Sequence, residues 1–347
     1  MNKIKFFIIM AVAGLGGVAW PGVGLAAPQM TLDAAREQAD SQMDIMLFRI
    51  KMFHHEVKNS MLSTMELPVF KEYFSLPESR HNTLDSNGVL QLSKNQVKLR
   101  KKMEEWSRLL CNRFPVGEAC LIDRTGQEHL RVVHNKVEDL HFFSSTESDS
   151  PFFEPTFQLK AGEIFTSDPY MSPDSEQWVI AYTSPVVLAN DDIPAFFHIE
   201  IPVDVYNKLV VTQDYSYFTA HQKIQHDKEE EGRYFIVNKE GLLLADSRQE
   251  INYKLHANHN PDINKDTSDY MLNEKMSAYF PPVSSINDDP KFLDVTKKMR
   301  KGETGEAHLT LNNRAYIMLY RPVPGRSWSL GHLDPVGGAG YWEQQKP

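Results

Sequence analysis

The stretch "FTSDPYMSPDSEQWVIAYTSPVV", Phe165 to Val187, crowds polar and aromatic residues ahead of an alternating apolar segment. Asp168 and Asp174 either accept hydrogen bonds from a ligand amine or close Asx turns in the loop that also holds Tyr170. Trp178, Ile180 and Tyr182 share one face of the following strand by period two. Trp178 and Tyr182 either stack on and hydrogen-bond a ligand or fill a core. Arg131 follows a hairpin turn. It either clamps a ligand carboxylate with two hydrogen bonds or makes a strand salt bridge. His198 and Glu200 also share a strand face, as ligand or metal contacts or as a buried histidine beside a structural acid.

Other groups carry less. "HANHNPD" offers His256, His259 and Asp262 in a polar loop, but the spacing fixes no third strong ligand, so no metal is expected. "HHEVK" lacks the second histidine of H-E-x-x-H. There is no G-x-S-x-G elbow and no G-x-x-x-x-G-K-S/T loop. The sequence reads as a non-enzyme with no cofactor.

The elements that must position these residues begin with an export signal. Lys3 and Lys5 precede an apolar run from Phe6 to Ala19, and Pro21, Gly22 and the small residues of "GLAAP" follow. Cleavage after Ala26 or Ala27 predicts a periplasmic or secreted chain. The alternative is an uncleaved helix anchored in the inner membrane. In an exported chain Cys111 and Cys120 predict a disulfide, with two buried free thiols as the alternative. The disulfide would stabilise by about 2–3 kcal/mol. A formal net charge of -9 over 347 residues disfavours nucleic acid. The basic run from Lys98 to Lys102 meets Glu104 and Glu105 at once, as on a solvated helix face.

Met43, Met46, Leu47, Ile50, Phe53, Val57 and Met61 recur at helical spacing, with Thr31 as N-cap. Leu67 to Leu76 predicts a short helix. "SKNQ" from Ser93 is a capping box opening another helix, lined by Leu99, Met103, Trp106 and Leu110. From Ala119 the pattern turns to strands: "ACLIDRTGQEHLRVV" is a hairpin, and "EIFTSDPY", "EQWVIAYTSPVV" and "IPAFFHIEIPV" follow. A polar helical segment spans Val203 to Glu231, and the strands then restart. "CLIDRTGQE" parallels "FIVNKEGLL", "IAYTSPVV" parallels "IMLYRPVP", and "HIEIPV" parallels "HLDPV". Their common order predicts a duplicated unit. The fold class is α+β, a long N-terminal helix followed by two PAS-like antiparallel-sheet units in tandem.

The order of the long helix, "LIDRTGQEHLR", "SDPYMSPDSEQWVIAYTSPV" and "FFHIEIPV" resembles the double Cache, or PDC, extracytoplasmic sensor domain of bacterial chemoreceptors, histidine kinases and diguanylate cyclases. "FIVNKEGLLLADS", "GETGEAHL" and "YRPVPGRSWSLGHLDP" resemble its membrane-proximal unit. The resemblance implies a signal peptide over 1–27, a helical region over 28–112 and a membrane-distal Cache unit over 113–208. A connecting helix over 209–231, a membrane-proximal unit over 232–336 and a tail over 337–347 complete it. It implies a ligand held by the first unit between its sheet and a loop cap. Trp178 would enter the pocket strand, and Ser167 to Glu176 would belong to the cap. The chain departs from amino-acid-binding members in lacking an arginine and a tryptophan in "SPFFEPTFQLKAGEIF". It ends at "GGAGYWEQQKP" without a transmitter. The expectation is a small-molecule sensor module, its ligand anionic if Arg131 binds it, acting through a membrane-bound kinase or receptor. The alternative is an interaction or structural module with an empty Cache pocket.

Overall fold

A computed structural model of the chain describes residues 31–211, 232–254, 275–338 and 340–344. The expected export signal, His256, His259, Asp262 and the expected connecting helix beyond Val211 lie outside them. Helix α1, Leu32–Met65, starts where Thr31 Oγ1 accepts from Ala34 N, and it buries Met43, Met46, Ile50, Phe53, Val57 and Met61 on one stripe. Helix α2 spans Pro68–Ser75, with proline in its first turn. Helix α3, Lys94–Arg113, opens on the expected capping box: Gln96 N donates to Ser93 Oγ, and Ser93 N donates to Gln96 Oε1. No helix among the described residues is long and apolar enough to cross a membrane.

Two antiparallel sheets follow. The first contains β1 (Glu118–Asp123), β2 (Glu128–Val133), β3 (Lys136–Val137), β4 (Phe165–Thr166), β5 (Tyr170–Ser172), β6 (Gln177–Val186) and β7 (Ala195–Pro202). Its order is β3-β2-β1-β7-β6-β4, with β5 also on β6. Helix α4, Phe153–Phe157, lies within the long excursion between β3 and β4. After helix α5, Asp204–Val211, comes the second sheet: β8 (Arg233–Val237), β9 (Leu243–Asp246), β10 (Gly305–Leu311), β11 (Arg314–Pro322) and β12 (Ser329–Gly338). Its order is β10-β11-β12-β8-β9. Helix α6, Pro290–Arg300, precedes β10.

The two orders superimpose. β9-β8-β12-β11 repeats β2-β1-β7-β6, and the hairpins agree atom by atom. Asp123 N donates to Gln127 O and Asn238 N to Leu242 O, while Gly126 and Gly241 each take φ of 87° in the turn. The register of both hairpins slips at the same place, between Leu121 and Ile122 and between Ile236 and Val237. The duplication read from sequence is therefore a duplication of topology. One detail differs. His332 pairs with Tyr234, whose counterpart in β1 is Ala119, and Ala119 pairs with Ile199. His332 thus matches Ile199, and His198 matches Gly331. A one-residue slip on a strand exchanges faces, so "HIEIPV" and "HLDPV" do not point their histidines the same way.

One continuous core joins α1 to the inner faces of both sheets, through Leu121, Ile180, Phe197, Ile317 and Leu319 among others. The alternate residues of the first sheet, Cys120, Ile122, Ala181 and Phe196, face outward into a second cluster under Phe152 and Phe153.

Candidate functional site

The outer face of the first sheet gathers titratable groups that period-two reasoning separates. Glu128 and Arg131 are three residues apart on β2, which on a regular strand puts them on opposite faces. The register slip cancels this: Glu128 lies opposite Ile122 and Arg131 opposite Cys120. His198 lies opposite Cys120 from the other side, and Glu200 follows two residues on. The segment from 140 to 176 covers them, bringing Glu147, Phe152, Tyr170, Asp174 and Ser175 over the face.

Arg131 is consumed within this cluster. Its Nε is 3.1 Å from Glu118 Oε1, its Nη1 is 3.4 Å from Glu128 Oε2, and its Nη2 pairs with Asp174. Nη1 also donates to Phe142 O at 2.6 Å. The Glu118 contact has ion-pair distance without the alignment of a hydrogen bond, so both of those atoms lack a hydrogen-bond partner. Burial works against the Arg131 charge, but Glu118, Glu128 and Asp174 outweigh it and raise its pKa. A ligand carboxylate would have to compete with these three.

Carboxyl groups outnumber the guanidinium on this face. Glu118, Glu128 and Glu200 are buried, and Asp174 and Glu147 are half-buried. Burial pushes Glu118 well above the usual carboxylate range, with Asp174 and Glu200 repelling its charge. Burial pushes Glu128 up to about 8 against the pull of Arg131, and Glu200 up to about 7. Glu200 accepts from Tyr170 Oη at 2.8 Å and from Ser175 Oγ at 3.0 Å. Cys120 Sγ donates to Glu128 Oε1 at 3.0 Å, and burial holds its thiol protonated. His198 Nε2 lies 3.3 Å from Tyr170 Oη, while its Nδ1 has no hydrogen-bond partner. The Phe152 ring stacks on that imidazole at 4.3 Å and 17°. Burial drives the imidazole pKa down to about 3, so it is neutral.

Of the residues expected from sequence, Arg131, Tyr170, Asp174 and His198 come together here. The other three do not. Trp178 and Tyr182 point inward, because Ala181 and Thr183 take the outer face of β6. Trp178 packs edge-on against Tyr279 and Phe280 at 5.6 and 5.3 Å. Tyr182 Oη pairs with His54 Nδ1 of α1 and lies 3.4 Å from Arg326 Nη2. These are core and inter-sheet contacts. Asp168 is exposed and accepts from Ser327 Oγ at 3.4 Å. The expected disulfide is also corrected: Cys111 and Cys120 are both free. Cys111 packs with α1 and α3 on the inner side, whereas Cys120 projects from the outer side, so the sheet itself separates them. Sequence reasoning missed Glu118, Glu128 and Glu147. The hairpin turn was legible, but the bulge that brings Glu128 beside Arg131 leaves no mark in residue type.

No family model and no curated protein matches this chain. Solved structures do. The sensory domain of the Campylobacter jejuni chemoreceptor Tlp3 with isoleucine bound is 11% identical with a TM-score of 0.53, over 87% of this chain and 93% of that one. A domain described as the extracellular part of a histidine kinase, vpHK1S-Z8, is 10% identical with a TM-score of 0.53, over 90% and 95%. A domain described as from a sensory box/GGDEF family protein of Vibrio parahaemolyticus is 10% identical with a TM-score of 0.53, over 87% and 96%. The chain has the double Cache fold of these sensory domains.

Proposed function

We propose that this chain is an extracytoplasmic sensor module that binds a small positively charged ligand on the outer face of its first sheet. The observation that carries the reading is the buried surplus of carboxyls around the single guanidinium of Arg131. A buried carboxylate without a counter-charge is costly, so these carboxyls favour the protonated form, and a cationic ligand supplies the counter-charge that lets them ionise. Tyr170, Glu200 and His198 then orient it. The fold is shared with sensory domains, one of them holding isoleucine. In this chain the carboxylates suit an ammonium better than Arg131 suits a carboxylate. No catalytic step is assigned. Signal output through a membrane-bound kinase or receptor, export, and a distal ligand-binding unit over 113–208 belong to the same proposal.

A thermal-shift screen of amines, amino acids and metal ions on the full chain tests it. A ligand at a hundred times its Kd should stabilise the protein by about 2.7 kcal/mol. Glu200→Gln should lose most of that gain. A screen with no stabilising compound, or a gain unchanged in Glu200→Gln, contradicts the reading. A second reading, docking through the helical face, draws on Ile45 and Phe48 of α1 and Trp106 and Leu109 of α3. All four are between 43% and 60% exposed.

A further inference from the structure

We propose that the outer face of the first sheet holds a divalent metal ion ligated by Glu118, Cys120 and His198. This deepens the cationic-ligand reading by naming the ligand's chemistry, and it rests on that reading only for what the ion signals.

One ligand atom from each of the three side chains lies within 4.8 Å of the other two, and all three residues are buried. Ligands about 2.0–2.3 Å from a tetrahedral zinc ion stand about 3.3–3.6 Å apart. A contraction of at most about 1.2–1.5 Å therefore closes the shell, through side-chain rotation of Glu118, Cys120 and His198. Thiolate, imidazole and carboxylate together suit zinc and its borderline neighbours, not calcium or magnesium, which prefer oxygen alone. Glu128, already 3.0 Å from Cys120 Sγ, is the adjacent fourth donor.

A second observation points the same way. His198 Nδ1 is buried and unpartnered. Tyr170 Oη donates its one proton to Glu200 Oε1 at 2.8 Å, so towards His198 Nε2, 3.3 Å away, it can only accept, which calls for the Nε2–H tautomer. That tautomer leaves the lone pair on Nδ1 free, the state a metal ligand requires. Tyr170 thereby orients the imidazole as an outer-shell partner, and Arg131 does the same for Glu118. Binding exchanges the Cys120 S–H bond for an S–metal bond and the Glu118 carboxyl O–H bond for an O–metal bond, and both protons leave to solvent. The positions matching Glu118, Cys120 and His198 in the second sheet are Arg233, Phe235 and Gly331, none of which is a donor.

The test is a titration of chelator-treated full chain with Co2+ and then Zn2+, read by absorbance and calorimetry. The expected result is one ion per chain and a near-ultraviolet thiolate-to-cobalt charge-transfer band. The band should persist in Cys111→Ser and vanish in Cys120→Ser. His198→Gln should weaken Zn2+ binding at least about tenfold, with melting curves confirming that each variant is folded. Cobalt bound without that band, or equal affinity in a folded Cys120→Ser, overturns the site. If a screened amine stabilises the chain while Zn2+ does not bind, the metal is overturned and the sensor reading stands. If neither stabilises it, both fall.

Discussion

The two sheets share order, turn and bulge, yet their outer faces are built for opposite ends. In the second sheet, Arg233 and Asp246 form one closed pair, with Arg233 Nε 3.0 Å from Asp246 Oδ1. The matching positions in the first sheet are Glu118 and Arg131, the same pair with its charges exchanged. There the balance is broken. Glu128 stands where the second sheet has Leu243, Cys120 where it has Phe235, and His198 where it has Gly331. A Cβ on Gly331 would lie 2.4 Å from the Phe235 ring, so that ring fills the space its counterparts leave to polar groups. One backbone plan thus supports a face filled by Phe235 around one closed ion pair and a face crowded with carboxyls. The difference lies in a few side chains at fixed register.

The largest test of this contrast is to remove the cation from each face. Arg131→Met leaves Glu118, Glu128 and Asp174 without their partner and should cost about 3–5 kcal/mol in chemical denaturation. Arg233→Met strands only Asp246, which keeps its hydrogen bond from Arg248 N at 2.9 Å, and should cost less. Equal losses would break the contrast between an overloaded and a balanced pair.

Gly331→Ala comes next. It forces Cβ into Phe235 and should cost about 1–3 kcal/mol by overpacking. The pair Gly331→Ala with Phe235→Leu should recover part of that loss. A neutral single substitution would mean that the second face is not filled.

The inner side supplies a smaller test, through one buried histidine on α1 against the first sheet and one on β12 of the second. Burial, with Arg326 and Lys58 nearby, drives His54 down to about 3, and burial drives His332 down to about 4. Both native pKa values lie below the unfolded value near 6.5. The unfolded chain therefore binds more protons between pH 6.5 and about 3, and stability is lost as pH falls through that window. Each histidine contributes a slope of at most about 1.4 kcal/mol per pH unit. His54→Gln and His332→Gln should each flatten the acid limb of a pH–stability profile. A profile unchanged in both variants would show that neither imidazole is held neutral.

Much of the architecture was legible. Helical periodicity gave α1, "SKNQ" gave the start of α3, and the echoed hairpins gave the duplication. Of the candidate cluster, only the residues that stand out by type were singled out from sequence, namely Arg131, Tyr170, Asp174 and His198. Trp178 and Tyr182 share a face as period two requires, but the pattern does not say which face meets the cap, and both meet the core. The bulge beside Glu128 and the one-residue offset of His332 are register effects. They are set by pairing with strands far along the chain, where local sequence is silent.

The proposed binding mode places ligand on the first outer face because its side chains leave room and carboxyls there. Grafting the second face onto the first, as Cys120→Phe with His198→Gly, tests this most directly. Calorimetric titration with Zn2+ and with any amine found in the screen would be run on wild type and on the double variant. The double variant should melt cooperatively, and its affinity should fall at least about a hundredfold, or about 2.7 kcal/mol. Undiminished affinity in a folded double variant would contradict that binding mode and place the ligand elsewhere.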